Sequence, residues 1–515
     1  MSQAKQLGIS DTIGKDALAS VVVFLVALPL CMGVSIASGV PPTAGLITGI
    51  VGGLVVGFLA GSPLQVSGPA AGLTVLVWQL VQHHGLPMLG VIVLLAGLLQ
   101  LAAGLLKLGQ WFRAVSPAVI HGMLAGIGIL IFSSQFHVML DGRPIGSGIQ
   151  NLTSIPGTLA QAVTAGGSPL HALEIGVLTI ALIALWGSLA PKKLRMLPSP
   201  LVGVLAAVAV SAMLGLDIKY IPDLLSNPAD INNVWTVIQF PTLENLWLAL
   251  DPAILTAAVS VAFIASAETL LCASAVDQMH QGPRTKYDKE LAAQGVGNTI
   301  CGLLGVLPMT GVIVRSSANV DAGAKTRVSA ILHGVWLVVF VAVLPFTLKY
   351  IPVASLAAVL VFTGYKLAYP KAVPKLLEFG KTEVAIYLVT IITIVATDLL
   401  KGVVLGLVLS MVKLLYVFSH LQIQQEEQGN RVDLRLNGAA TLIRLPKLAA
   451  ILEQVKAGTE VHVHFGELEY IDHACFDLLT NWEKQHQATG GKLVVEWDEL
   501  VHKYHRRRTA AQKAG

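Results

Sequence analysis

Charge is scarce in this 515-residue chain: Lys, Arg, Asp and Glu make up 12% of it, about half the share of an ordinary soluble domain. A freely soluble protein of this length is therefore excluded. The net charge of +4 is small, so no nucleic-acid partner is implied. Only four cysteines occur, Cys31, Cys272, Cys301 and Cys475. They lack metal or redox spacing and read as small apolar fillers rather than a disulfide framework. Neither H-E-x-x-H nor G-x-S-x-G is present, nor a clustered set of ligands in an apolar segment, so nothing supports an enzyme. A cleavable signal is missing too, because the first apolar run lacks a convincing small-residue cleavage site and leads straight into further apolar segments. A retained N-terminus is expected.

What the chain has in quantity is apolar: 54% hydrophobic residues, a mean hydropathy of +0.71 and 49 glycines. Such glycine use fits helices that pack closely where no hydrophobic drive exists between them. Segments long enough for a core about 30 Å thick fall near 17–37, 43–60, 88–106, 117–136, 172–190 and 200–216. Others follow near 253–276, 291–307, 327–345, 352–366, 383–398 and 402–419. Two further stretches, about 69–82 and 310–321, are too short or interrupted to span alone. Counting them gives fourteen segments.

The loops agree with that count through the bias of cations to one side of a membrane. Lys107 and Arg113, then Lys192, Lys193 and Arg195, then Arg284, Lys286 and Lys289 all follow even-numbered segments. So do Lys325 and Arg327, and Lys366, Lys371, Lys375 and Lys381. The long loop after the seventh instead carries Asp217, Asp223, Asp230 and Glu244. The expectation is an all-α polytopic inner-membrane protein over residues 1–420 with both termini cytoplasmic. Beyond His420 the chain is polar and mixed, with short apolar or alternating runs at Val432–Leu436, Val461–Phe465 and Leu493–Trp497. Helix-like stretches near 446–456 and 473–488 lie between them, predicting a small α/β domain over 421–505. A basic tail over 506–515 ends the chain; it reads as solvated, with contact to anionic membrane lipids as the alternative.

The two short segments carry the functional signal. Ser62-Pro63-Leu64-Gln65-Val66-Ser67-Gly68-Pro69-Ala70-Ala71-Gly72-Leu73-Thr74 introduces the first, and Leu307-Pro308-Met309-Thr310-Gly311-Val312-Ile313-Val314-Arg315-Ser316-Ser317 the second. Non-helical backbone at membrane depth must be buried in protein or line a wet cavity. As third and tenth of fourteen, they correspond if the chain is two repeats of seven, the pattern of a midplane site in an inverted-repeat transporter. Two facing half-helix N-termini would offer free amides and about half a positive charge each. The candidate anion-binding residues are Ser67, Gly68, Ala70 and Ala71 with Thr310, Gly311, Val312 and Arg315. The bland alternative is that Gly and Pro merely kink packed helices.

Glu268 stands near the middle of the eighth segment. A carboxylate at a helix centre costs roughly 2.5–3.5 kcal/mol, so it should face a cavity or a partner. Beside an anion site it suggests coupling, through Na⁺ or a proton. A structural ion pair, with Arg315 for instance, or a carboxyl held neutral are the other readings.

Gln65 to Pro69, Lys286 to Asn298, and Thr310 to Thr326 together resemble the sulfate permease (SulP) family, across nearly the whole chain. The resemblance implies fourteen segments as a 7+7 inverted repeat with core and gate domains, homodimers, an elevator-like movement, and an anion held between the third and tenth segments. It implies a STAS domain at the C-terminus, and a coupling role for Glu268. Cys272 stands where bicarbonate-transporting members carry a hydroxyl of a Na⁺ site, which favours a proton over Na⁺. Ile471-Asp472-His473-Ala474-Cys475 lacks the phosphorylatable serine of related regulatory domains. No cofactor is expected beyond a bound Na⁺. The expected activity is secondary active transport of a small anion, bicarbonate first and sulfate, chloride or a dicarboxylate next, with an anion channel as a weaker reading.

Overall fold

The computed structural model describes residues 9–110, 116–191, 197–224, 234–368, 373–418, 421–465 and 468–495. Arg113, Lys192, Lys193, Arg195, Asp230, Lys371 and the expected basic tail lie outside them. The chain packs as two units, Met1–Leu407 and Val408–Gly515.

The first unit opens with α1 (Ile9–Ala37), α2 (Pro42–Leu59), α3 (Thr74–His84) and α4 (Leu86–Leu105). Next come α5 (Pro117–Met139), α6 (Gly148–Ala165), α7 (Gly167–Leu189) and α8 (Ser199–Leu214). The second half brings α9 (Pro252–Met279), α10 (Tyr287–Leu303), α11 (Ile313–Asp321) and α12 (Val328–Val343). It continues with α13 (Val353–Ala368), α14 (Lys381–Ala396) and α15 (Leu399–Phe418), the last of which runs across the boundary between units. Every expected apolar segment coincides with one of these helices. Among the described residues, eight helices are long and apolar enough to cross a membrane, and α8 and α12 are shorter apolar ones. The long helix α6 was not expected: it occupies the loop after the fifth segment, started by a capping box between Ser147 and Gln150.

Local chemistry sets the helix starts. Proline sits in the first turn of α2, α5 and α9, where its missing N–H is no loss. Asp251 Oδ1 caps α9 by accepting from Ala253 N at 2.7 Å.

Two packing groups form within this unit. In one, α4 lies against α10 and α9, and α1 against α12 and α11; in the other, α5 lies against α13 and α14, and α7 against α8. The α4–α10 contact depends on glycine: a Cβ at Gly97 or Gly104 would strike the backbone of α10, and one at Gly295 or Gly302 that of α4. Small residues let helix backbones approach where lipid supplies no hydrophobic drive.

At both interrupted segments the backbone is extended rather than merely kinked. β1 (Ser67–Pro69) pairs antiparallel with β2 (Met309–Gly311), with Ser67 opposite Gly311 and Gly68 opposite Thr310. Among its described residues the unit is thus helical apart from this short crossing of strands and an isolated bridge between Tyr220 and Pro352.

The second unit holds a mixed sheet. β3 (Leu421–Gln428) pairs antiparallel with β4 (Arg431–Ala440), which pairs in parallel with β5 (Glu460–His464) and β6 (Leu468–Ile471). β7 (Lys492–Val495) extends the sheet beyond β5. With α16 (Leu445–Glu453) and α17 (His473–Ala488) these strands enclose a core that includes Leu434, Leu452, Val463, Phe465 and Leu479. The expected strands and two expected helices are present, the third strand as far as Val495, with Glu496 and Trp497 outside the described residues; β3 and β6 are additional.

Candidate functional site

The crossing of β1 and β2 brings the two half-helices together. A tight turn, Ala71–Leu73, leads from β1 into α3, while β2 leads directly into α11. The strands are held by their flanks as well: Ala70 N donates to Pro308 O at 3.2 Å and Val312 N to Val66 O at 2.9 Å. First-turn amides of a helix have no partner within it, so both half-helices present their N-terminal amides at the crossing.

Arg315 is 0% exposed, and its Nε and Nη1 have no hydrogen-bond partner among the described residues. Its guanidinium lies beside the Cys31 thiol and against Gly68, where a Cβ would collide with it. A side chain at position 68 would therefore have to displace the guanidinium. Glu268 occupies a separate place, one turn further along the first segment. Its Oε1 accepts from Gly72 N at 3.3 Å, its Oε2 has no well-formed hydrogen bond among the described residues, and a Cβ at Gly72 would stand 2.8 Å from Oε2. The Thr310 hydroxyl neighbours this carboxyl and makes no well-formed hydrogen bond of its own. No ion pair joins Glu268 to Arg315 among the described residues; each charge addresses its own glycine.

The other predicted residues divide by access. Ser67, Gly68, Ala70, Thr310, Gly311 and Val312 are buried, whereas Ala71 and Glu268 are partly accessible. Ser67 Oγ accepts from Gln294 Nε2 at 2.6 Å, and Gly311 N donates to Thr269 Oγ1 at 3.1 Å. Cys272 lies one turn beyond Glu268 in an apolar cluster with Ala19, Leu64, Val276 and Ala324, its sulfur 3.7 Å from Ser316 Oγ. A cavity of about 270 Å³ is lined by Val75, in the first turn of α3, and by residues that include Gln79, His84, Thr256, Ser260 and Asp398.

Three residues not singled out from the sequence hold the crossing in place. Glu290, Gln294 and Asn298 recur at four-residue intervals on α10, and all are 0% exposed. Glu290 accepts from Gly61 N (2.8 Å), Ser62 N (2.9 Å) and Gln294 Nε2 (3.1 Å). Asn298 grips β2 at two points, accepting from Met309 N at 2.7 Å and donating to Met309 O at 3.0 Å. Its Nδ2 also donates to Gln100 Oε1 at 2.7 Å. The signal was present in the spacing, since side chains four apart share one helix face.

Residues 13–390 match the model described as "Sulfate permease family". The chain belongs to the sulfate permease family. Across 95% of its length it is 26% identical to 93% of the "Putative sulfate transporter YvdB" of Bacillus subtilis. The "Bicarbonate transporter BicA" of a Picosynechococcus strain is 25% identical, over 81% of this chain and 73% of its own. In fold it resembles the transmembrane domain of a cyanobacterium bicarbonate transporter BicA, with a TM-score of 0.63 over 76% of this chain and 97% of that one, at 24% identity. It also resembles the murine Slc26a9 anion transporter in the inward-facing state, with a TM-score of 0.73 over 97% of this chain and 89% of the other, at 14% identity. Membership of the sulfate permease family makes this chain a multi-pass membrane anion transporter, not an enzyme.

Proposed function

We propose that the chain is a secondary active transporter of bicarbonate, binding it at the β1–β2 crossing and coupling its movement to Na⁺ or H⁺ through Glu268. The observation that carries this reading is the antiparallel pairing of Ser67–Pro69 with Met309–Gly311 beside the buried guanidinium of Arg315, two of whose nitrogens have no hydrogen-bond partner among the described residues. Two half-helix ends supply about half a charge each, and Arg315 one more, about +2 in all. An ionised Glu268 reduces that to about +1, the complement of a monoanion. Neutralised by a proton, Glu268 leaves a site suited to a dianion, which is the physical form of the sulfate reading. The name of the Bacillus subtilis relative favours sulfate, and that of BicA favours bicarbonate.

Fourteen crossings as a 7+7 repeat agree with the pairing of the third and tenth segments. The first four and the eighth to eleventh helical segments contribute the α1, α4, α9–α12 packing group, a division suited to a core that slides past a gate in a homodimer. The α/β unit has the strand and helix content of a STAS domain, here on the cytoplasmic side of a bacterial inner membrane with the N-terminus. The neighbouring Glu268 Oε2 and Thr310 Oγ1, neither with a well-formed hydrogen bond among the described residues, would be the atoms that take up the driving cation.

The test is uptake of labelled bicarbonate and sulfate into proteoliposomes under imposed Na⁺ or pH gradients. Wild-type protein is expected to accumulate bicarbonate against its gradient, and Glu268→Gln to bind the anion without accumulating it. Concentrative uptake by the variant ends the coupling role; uptake of sulfate alone, driven by protons, moves the reading to sulfate.

A further inference from the structure

Two of the sequence stretches that carry the family likeness contain residues the transport site does not use. Arg284, Lys286 and Lys289 come from the α9–α10 connection and the first turn of α10; Lys325 and Arg327 come from the α11–α12 connection. All five line one pocket of about 330 Å³, closed on a third side by Ala60, Gly61 and Pro63 after α2. This volume has room for a phosphate group together with a larger molecule that carries it. A bias of cations to one end of the spans accounts for their presence in these loops. It does not account for their convergence on one concavity.

Two further observations point to a ligand. Lys286 and Lys289 flank the start of α10, and Arg327 is the N-cap of α12. Cations at helix N-termini oppose the helix dipole, so a strongly positive field is maintained here against local preference. Three neighbouring carboxylates are turned onto backbone amides, and Glu290 also feels the charge of Arg327. Asp16 accepts from Lys325 N and Thr326 N, Asp277 from Thr285 N, and Glu290 from Gly61 N and Ser62 N. Arg284 and Arg327 each spend one donor on a backbone carbonyl, Asp277 O and Phe58 O. Lys286, Lys289 and Lys325 are exposed, with no side-chain partner among the described residues.

We infer that this pocket binds a phosphate-bearing ligand, its phosphate held by Lys286, Lys289 and Lys325 and its remainder in the space toward Pro63 and Pro283. Phosphate groups suit such a site because they accept several charge-assisted hydrogen bonds at once. The same chemistry is offered by an anionic lipid headgroup and by a soluble phosphate. The site is separate from the β1–β2 crossing.

Full-length protein in phosphatidylcholine nanodiscs, with or without phosphatidic acid, would be titrated with inorganic phosphate at ionic strength fixed by potassium gluconate. Thermal unfolding reads the binding. A saturable rise in Tm is expected from phosphatidic acid, identifying a lipid site, or from inorganic phosphate in the neutral discs, identifying a soluble ligand. Lys289→Gln should weaken that binding about tenfold, and Lys286→Gln/Lys289→Gln/Lys325→Gln should abolish it; the single variant decides if the triple one fails to fold. Arg315→Ala should leave it intact. The proposal is overturned if neither ligand gives a saturable shift, if Lys289→Gln binds as wild type does, or if Arg315→Ala removes the binding while the lysine variants keep it.

Discussion

Arg315 acts from behind the crossing rather than at its accessible face. It is fully buried against Gly68, while Ala71 and Glu268 are the predicted residues that solvent reaches. Its contribution to anion binding is therefore one of charge. Two unit charges 4 Å apart interact by about 4 kcal/mol at an effective dielectric of 20, and less with distance. Removing the guanidinium in Arg315→Ala should weaken anion affinity by about tenfold or more, read as the anion-dependent shift in unfolding temperature. Gly68→Ala should act in the same direction without deleting the charge, because its Cβ collides with the guanidinium. Unchanged affinity in Arg315→Ala would return the residue to a structural role. Glu268 was legible in the sequence because a lone carboxylate in an apolar run demands an account. Whether it paired with Arg315 was not legible, since that depends on which glycine each side chain meets.

At the scale of elements, α10 is the clamp on the crossing. Its Glu290, Gln294 and Asn298 face reaches the turn after α2, β1 and β2 in succession. Asn298→Ala would leave the Met309 N–H and C=O buried without those partners, a penalty of about 1–3 kcal/mol for each unsatisfied group. A fall in unfolding temperature, measured on purified protein without anion, is expected; an unaltered transition would mean the crossing is held by other contacts. The breaks before α3 and α11 could be read from sequence because Gly and Pro act locally. The clamp could not, since polar residues at four-residue spacing look the same on a solvated face as on a buried one. Strands β1 and β2 escaped notice for a related reason: three residues carry no periodicity, and their partners lie far away in the chain. In the second unit β3 was missed because much of it is exposed and polar.

The sheet of that unit makes its own prediction. Asp433 on β4 accepts from Arg431 Nε at 2.9 Å and Nη2 at 2.7 Å, with His464 Nε2 on β5 2.9 Å away. The Arg431 guanidinium, and after it the His464 ring, hold the Asp433 carboxyl well below the usual carboxylate range. A carboxyl depressed in the folded state stabilises it at pH values above its unfolded pKa, about 3.9. That stabilisation is lost as the pH falls from there toward the folded value. Hydrogen exchange corrected for intrinsic rate should therefore show β4 and β5 opening more readily at pH 3 than at pH 7. Asp433→Asn should abolish much of that difference; an equal difference in the variant would place the acid sensitivity elsewhere.

On the scale of the whole molecule, the two units divide the work. All ten candidate site residues, the α10 clamp and both cavities belong to Met1–Leu407, while the β3–β7 sheet has a core of its own within Val408–Gly515. The composition changes at His420, whereas the contact boundary falls inside α15, at Leu407. A truncation that respects the helix should therefore end after Phe418, not at Leu407, because α15 is continuous over Leu399–Phe418 and its first half packs on α14, with Gly402 against Ile394 and Gly406 against Thr390. Protein ending at Phe418 is expected to remain folded and to bind the transported anion within about twofold of the full chain, since no charge that sets the site's potential has been removed. Anion titration of the purified, monodisperse truncated protein checks this. A loss of affinity beyond about tenfold in a sample that still unfolds cooperatively would show that the second unit shapes the site. Retained binding with lost uptake would instead assign the second unit to the movement that carries the anion across.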